Sequence, residues 1–223
     1  MSVPGLTLVA PPDRLWRIGR RDDPLRFARI SQTDATLARA GNRFDVPGGG
    51  VLYAATTVRG CFAETLARFR PSPAVAAAVA EDPGYMGPGG IPAAWREDRR
   101  LVSFALAAPL PFVDIDDTNT LLALGAQLHG ELAALGVDEL DRGSVYSANR
   151  RLTRVLASWI YSRTDDDGQP RYGGIRYESR LGRQWECWAI FDGALLTTST
   201  VTPIDSQNPD LMVIADQFGL TPH

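Results

Sequence analysis

Short apolar runs and helical apolar spacing alternate along the chain. LWRIG (15–19) predicts a short strand, and VLYAA (51–55) predicts another, set off by the turn sequence PGGG before it. From 61 to 69, Phe62, Leu66 and Phe69 recur at helical spacing. That spacing places Glu64 early in a helix, where the partial charges of the N-terminus act on a carboxylate. A further helical stretch is expected around 33–40, and AVAAAVAE predicts another helix. DPGYMGPGGIP, which follows it, is too broken by Gly and Pro for regular structure. LVSFALAAP and PFVDI predict strands.

A long helix is expected over 118–135, opened by paired aspartates as caps and closed before Gly136. A second, over 148–161, follows Ser147 as a cap. Its Leu152, Val155, Leu156, Trp159 and Ile160 make one apolar face, leaving Arg150, Arg151 and Arg154 mostly on the other. GGIRYES, ECWAIFD and ALLTTSTVTPI then read as three closely spaced strands of an antiparallel sheet, and a last helix covers 211–218. Helices fill the middle and strands gather at both ends, so the class is α+β rather than a repeating βαβ order.

The 223 residues suit one domain with insertions, and 44% apolar content supplies a core. A net charge of −3 argues against a broad nucleic-acid-binding face. All 23 basic residues are arginine. The absence of lysine excludes Schiff-base chemistry and a Walker-type phosphate lysine, and leaves planar forks suited to phosphate. Cys61 and Cys187 lack zinc or disulfide spacing and read as buried thiols. No signal-like N-terminus or long apolar run occurs, so a soluble, cytoplasmic protein without membrane contact is expected. The only histidines, His129 and His223, make a Ser-His-Asp triad improbable. Asp114, Asp116 and Asp117 read as helix caps and a solvated turn, and TDDDG as a loop, so no metal site is expected.

The segment from Arg43 to Glu64, RFDVPGGGVLYAATTVRGCFAE, lines up a guanidinium, an aromatic ring and a carboxylate along one turn, strand and helix. These are the groups a protein presents to a diphosphate-linked nucleotide. LWRIG, then RF before the Gly-rich turn and LYAA, then FAE, and finally GIRYESR leading into CWAIFD, together resemble the RES domain family, named for its Arg, Glu and Ser. The resemblance runs from about 15 to 191 within a single domain spanning 1–223. Segments 71–92 and 118–143 are longer than a minimal domain of this kind.

The resemblance implies an ADP-ribosyltransferase-like α+β fold, an antiparallel or mixed split β-sheet with flanking helices. It also implies an enzyme that cleaves NAD at the nicotinamide–ribose bond by phosphorolysis or hydrolysis, as the toxin of a pair with an Xre-like antitoxin. NAD would be a consumed substrate and inorganic phosphate a co-substrate, with no resident cofactor. Other members suggest protein ADP-ribosylation, and a non-catalytic partner-binding module is the alternative of a different class. Carried over by position, the implied catalytic residues are Glu64, Arg43 and Tyr53, and the substrate-binding residues are Arg17, Arg43, Tyr53 and Ser179. Glu64 would stabilise positive charge on the ribose, Arg43 would grip diphosphate or phosphate, and Tyr53 would face nicotinamide. Ser179, on the same strand face as Tyr177, would suit phosphate. Arg17 would meet Glu64 or the phosphates, with a structural ion pair as the other reading.

Overall fold

The computed structural model describes residues 4–72, 74 and 89–223. Its strands are β1 (Leu8–Val9), β2 (Leu15–Arg20), β3 (Val51–Ala55), β4 (Gly90–Ile91), β5 (Arg99–Ala107), β6 (Phe112–Asp114), β7 (Gly174–Ser179), β8 (Gly182–Phe191), β9 (Leu195–Pro203) and β10 (Thr221–Pro222). The helices are α1 (Gln32–Ala35), α2 (Val58–Leu66), α3 (Ala93–Glu97), α4 (Thr118–Gln127), α5 (His129–Ala134), α6 (Arg142–Tyr146), α7 (Arg150–Tyr161) and α8 (Pro209–Phe218).

Eight strands form one mixed sheet in the order β1-β6-β7-β8-β3-β2-β5-β9. Within this sheet only β6 and β7 pair in parallel. The sheet buries side chains on both faces, which is why VLYAA is apolar throughout and does not alternate with polar residues. Val51 and Ala55 of β3, with Cys187, Ala189 and Phe191 of β8, face the larger core, where α2, α4, α7 and α8 pack. Leu52, Ala54, Trp188 and Ile190 face a smaller core with Leu15, Phe104 and Phe112. Fully burying a side chain such as Phe62 or Leu152 contributes about 1.5 to 3 kcal/mol.

The sheet is split at its centre. β2 pairs with β5 along its whole length, and β3 with β8 likewise, yet β2 and β3 share only the Trp16–Ala55 register pair. Arg17 occupies the opening. Its Nη1 donates to the Tyr53 carbonyl at 2.6 Å, Nε to Pro24 O at 2.8 Å and Nη2 to Arg26 O at 3.4 Å. The loop carrying Pro24 lies so close that a Cβ on Gly19 would sit 2.0 Å from the Pro24 carbonyl oxygen.

Several expectations need correction. α2 starts at Val58, capped by the Thr57 hydroxyl, so Glu64 lies in its second half, beyond the reach of the N-terminal partial charges. The stretch at 33–40 is helical only over Gln32–Ala35. The helix expected over 118–135 is divided at Leu128, whose φ of −115° and ψ of 20° lie outside the helical range. Backbone bonds continue through it, from Leu128 N to Leu124 O and from Leu132 N to Leu128 O. α7 is capped by Asn149, whose Oδ1 accepts from Arg151 N, while Ser147 ends α6. β9 does not join β8 but crosses to the far edge and pairs with β5. The helix expected over AVAAAVAE, apart from Ala74, and most of DPGYMGPGGIP lie outside the described residues. At the described end of that stretch, Gly90–Ile91 pairs in parallel with Thr221–Pro222.

The largest departure is Arg154, which turns inward and is 3% exposed. Its Nη1 donates to Ala35 O and Leu37 O at 2.8 Å each, and its Nη2 to Ala40 O. Arg150 Nη1 donates to Arg39 O and Gly41 O, and Thr153 Oγ1 to Arg43 O. One face of α7 thus holds the carbonyls of the segment leading to Arg43. Arg154→Leu strands these acceptors, so urea denaturation should show a loss of about 3 to 5 kcal/mol. A loss under about 1 kcal/mol would mean that the clamp adds little.

Candidate active site

A cleft of about 450 Å³ opens at the split between β2 and β3. It is lined by Arg17, Arg43, Tyr53 and Glu64, joined by Tyr146, Arg150, Tyr177 and Arg180. Ser179 reaches it through Glu64: the serine Oγ donates to Glu64 Oε1 at 2.5 Å. The structure therefore brings together all five residues singled out in the sequence. They come from β2, the loop before β3, β3 itself, α2 and the end of β7.

Arg43 is seated from both sides of the chain. The next residue, Phe44, is fully buried and packs on Tyr177 with ring centroids 5.0 Å apart. Arg43 Nη1 donates to Val145 O at 2.6 Å and Ser147 O at 3.1 Å, and the guanidinium lies 5.5 Å from the Tyr146 ring centroid. Burial pulls its pKa below the usual arginine value, and Arg180 and Arg150 act in the same direction. Nη2 and Nε have no protein hydrogen-bond partner among the described residues.

Asp45 organises the same loop. This buried carboxylate accepts from Asn42 N at 2.6 Å and from the Tyr53 hydroxyl at 2.9 Å, while that hydroxyl accepts from Phe44 N at 3.0 Å. Burial, then the Asp45 charge, pushes the Tyr53 pKa well above the ordinary phenol value. The Tyr53 hydroxyl is thus engaged in holding the Arg43 loop. Arg17 bonds to backbone carbonyls, and no bond to Glu64 is present. Burial lowers its pKa.

Ser179 uses its hydroxyl twice, donating to Glu64 and accepting from Leu181 N at 3.1 Å. Glu64 is itself exposed to the cleft. It is the only carboxylate among the described residues that line the cleft, against Arg17, Arg43, Arg68, Arg150 and Arg180. Such an excess of guanidinium in a chain of net charge −3 makes the cleft a locally positive surface.

Sequence reasoning missed Asp45, Tyr146, Arg150, Tyr177 and Arg180. Asp45 and Arg180 stand beside named residues, in RFD and ESR, and adjacency was their available signal. Tyr146 has no local signal, since an acidic network places it. Its hydroxyl donates to Asp116 Oδ1 and Glu178 O at 2.7 Å, and Arg142 lies 3.3 Å from Asp116. Asp116 is consequently a buried partner of these groups rather than part of a solvated turn, whereas Asp117 does cap α4. Among the described residues no group of three His, Cys, Asp or Glu is placed to hold a metal. No helix there is long and apolar enough to cross a membrane.

Cys61 and Cys187 are free, buried thiols beneath the cleft. Burial pushes Cys61 up to about 12 and Cys187 well above its ordinary value. Neither should react with a disulfide reagent at pH 8 in the folded protein, and both should react in denaturant. The folded-state pKa exceeds the unfolded one, so the Cys61 contribution to stability is level below the ordinary thiol value near 9 and declines as pH rises toward 12. Fast native labelling at pH 8 would contradict this burial.

Comparison with known proteins gives consistent findings. A family model described as the RES domain matches residues 14–210. A search of curated protein sequences finds no match. Among solved structures, a chain of the M. tuberculosis MbcT-MbcA toxin-antitoxin complex superposes with a TM-score of 0.51 at 13% identity, covering 95% of this chain and 92% of that one. At that identity the likeness concerns the fold, and the α+β, ADP-ribosyltransferase-like architecture expected from the sequence is the one found.

Proposed function

We propose that this chain, which belongs to the RES domain family, binds NAD in the cleft between Arg43 and Glu64 and breaks its nicotinamide–ribose bond. The observation that carries the reading is a single carboxylate, fixed by a serine hydroxyl, facing a cluster of guanidinium groups across one cleft. A dinucleotide presents the complementary pattern: anionic diphosphate at its middle and a ribose that becomes cationic at the reacting end.

When the C–N bond breaks, its electron pair leaves with nicotinamide, which becomes neutral, and positive charge grows on the ribose ring. Glu64 is the group that stabilises that charge, and its carboxylate is held toward β7 by Ser179. Arg43, with Nη2 and Nε unclaimed by the described residues, holds phosphoryl oxygens. An oxygen of inorganic phosphate then forms the new bond to the ribose carbon, giving phosphorylated ADP-ribose. Phosphorolysis is preferred over hydrolysis because the cleft supplies cations for a second anion beside the diphosphate. Tyr53 and Arg17 act as positioning residues, for the Arg43 loop and for the split respectively. The shared fold with a toxin–antitoxin component supports a toxin role, held in check by a protein antitoxin.

The test is incubation of purified protein with NAD, with and without phosphate, followed by chromatography. Nicotinamide should appear together with phosphorylated ADP-ribose when phosphate is present. Free ADP-ribose in both samples would indicate hydrolysis, label on a macromolecule would indicate protein ADP-ribosylation, and intact NAD would favour a binding module. Glu64→Gln should slow nicotinamide release by about 100-fold or more while ADP-ribose binding persists. Full activity in that variant would remove the catalytic assignment.

A further inference from the structure

Most of the guanidinium groups in the cleft are partly occupied by the protein itself. Arg17, Arg43 and Arg150 each donate to backbone carbonyls. Arg180 is different. It is exposed in the cleft, and no carbonyl, carboxylate or aromatic ring among the described residues engages its guanidinium. It lies in the tight turn between β7 and β8, where Ser179 pairs with Gly182.

The turn is held by the same hydroxyl that holds the carboxylate. Ser179 Oγ accepts from Leu181 N and donates to Glu64 Oε1, so one atom fixes both Glu64 and the turn on which Arg180 stands. Arg180 and Arg150 both lie near enough to depress the Arg43 pKa, an effect secondary to burial. Among the described residues, no carboxylate other than Glu64 lines the cleft to relieve that repulsion. Cations gathered without counter-charge are relieved by an anionic ligand.

We infer that Arg180, together with Arg43 and Arg150, forms an anion site for the substrate's phosphoryl oxygens, and that Ser179 sets its distance from Glu64. The inference rests on the NAD reading above and adds to it a binding residue and a positioning role. The phosphoryl oxygens come either from the dinucleotide's diphosphate or from the attacking inorganic phosphate, and the two sources separate experimentally.

Wild type, Arg180→Gln and Arg180→Lys would be titrated by calorimetry with ADP-ribose, with inorganic phosphate and with pyrophosphate. Arg183→Gln serves as a control, being an exposed arginine of β8 outside the cleft lining. Arg180→Gln should weaken ADP-ribose binding about tenfold, the loss expected for a charge-assisted hydrogen bond. Arg180→Lys should recover part of it, and Arg183→Gln should bind as wild type. Weakening confined to inorganic phosphate would support the site and assign it to the attacking group. Arg180→Gln binding all three ligands as wild type does would overturn the inference, and so would an equal loss in Arg183→Gln, which would indicate diffuse charge. A wild type that binds pyrophosphate but not ADP-ribose would end the NAD reading while leaving the anion site, then judged by the pyrophosphate ratio. Binding of none of these ligands would end both.

Discussion

The opening between β2 and β3 is the constraint from which the rest of the site follows. Separating neighbouring strands leaves backbone groups without ladder partners, and such groups must be satisfied another way. Here a guanidinium supplies the bonds, joining the Tyr53 carbonyl on one side of the split to Pro24 and Arg26 on the loop leaving the other. Were the ladder continued beyond Trp16 and Ala55, the sheet would close over the space that Arg17, Tyr53 and Ala55 now line. Gly19 contributes by having no side chain where the loop crosses.

Around this opening, charge is used in two distinct ways. Arg154 and Arg150 act inward, gripping carbonyls from Ala35 to Gly41 so that the loop before Arg43 has a fixed course without being a helix or strand. Asp45 completes the work from the other side by holding Asn42 N and the Tyr53 hydroxyl. Arg43 and Arg180 then present atoms that the described residues leave open. Holding the loop and meeting a ligand fall largely to different side chains of the same type, which composition alone does not separate.

That division explains what was legible in the sequence. Strands buried on both faces announce themselves as continuous apolar runs, so VLYAA and CWAIFD were readable, and the order of short motifs placed Arg43, Tyr53, Glu64 and Ser179 together. Arg154 was not readable, because helical spacing assigns a face only by polarity, and a guanidinium bonded to three residues' carbonyls is buried in spite of its polarity. β9 was recognisable as a strand, yet its partner, β5, is far away in sequence, and local pattern carries no information about that choice. Glu64 was placed too near its helix start because Val58 to Gly60, with Thr57 as cap, show little apolar periodicity. The parallel pairing of β6 with β7 likewise depends on a long crossover that no short motif encodes.

The all-arginine composition has a structural consequence at this site. Burial lowers the pKa of Arg17 and Arg43, disfavouring their charged forms. A guanidinium begins so far above neutrality that it stays protonated through such a penalty, whereas a lysine ammonium under similar burial shifts readily toward neutrality. Geometry adds a second reason. Arg17 serves three carbonyls in different directions from one planar fork, and Arg154 does the same. A single ammonium nitrogen on a flexible stem does not span acceptors set that far apart. Lysine in either place would therefore lose charge and reach together, opening the split at one position and releasing the Arg43 loop at the other.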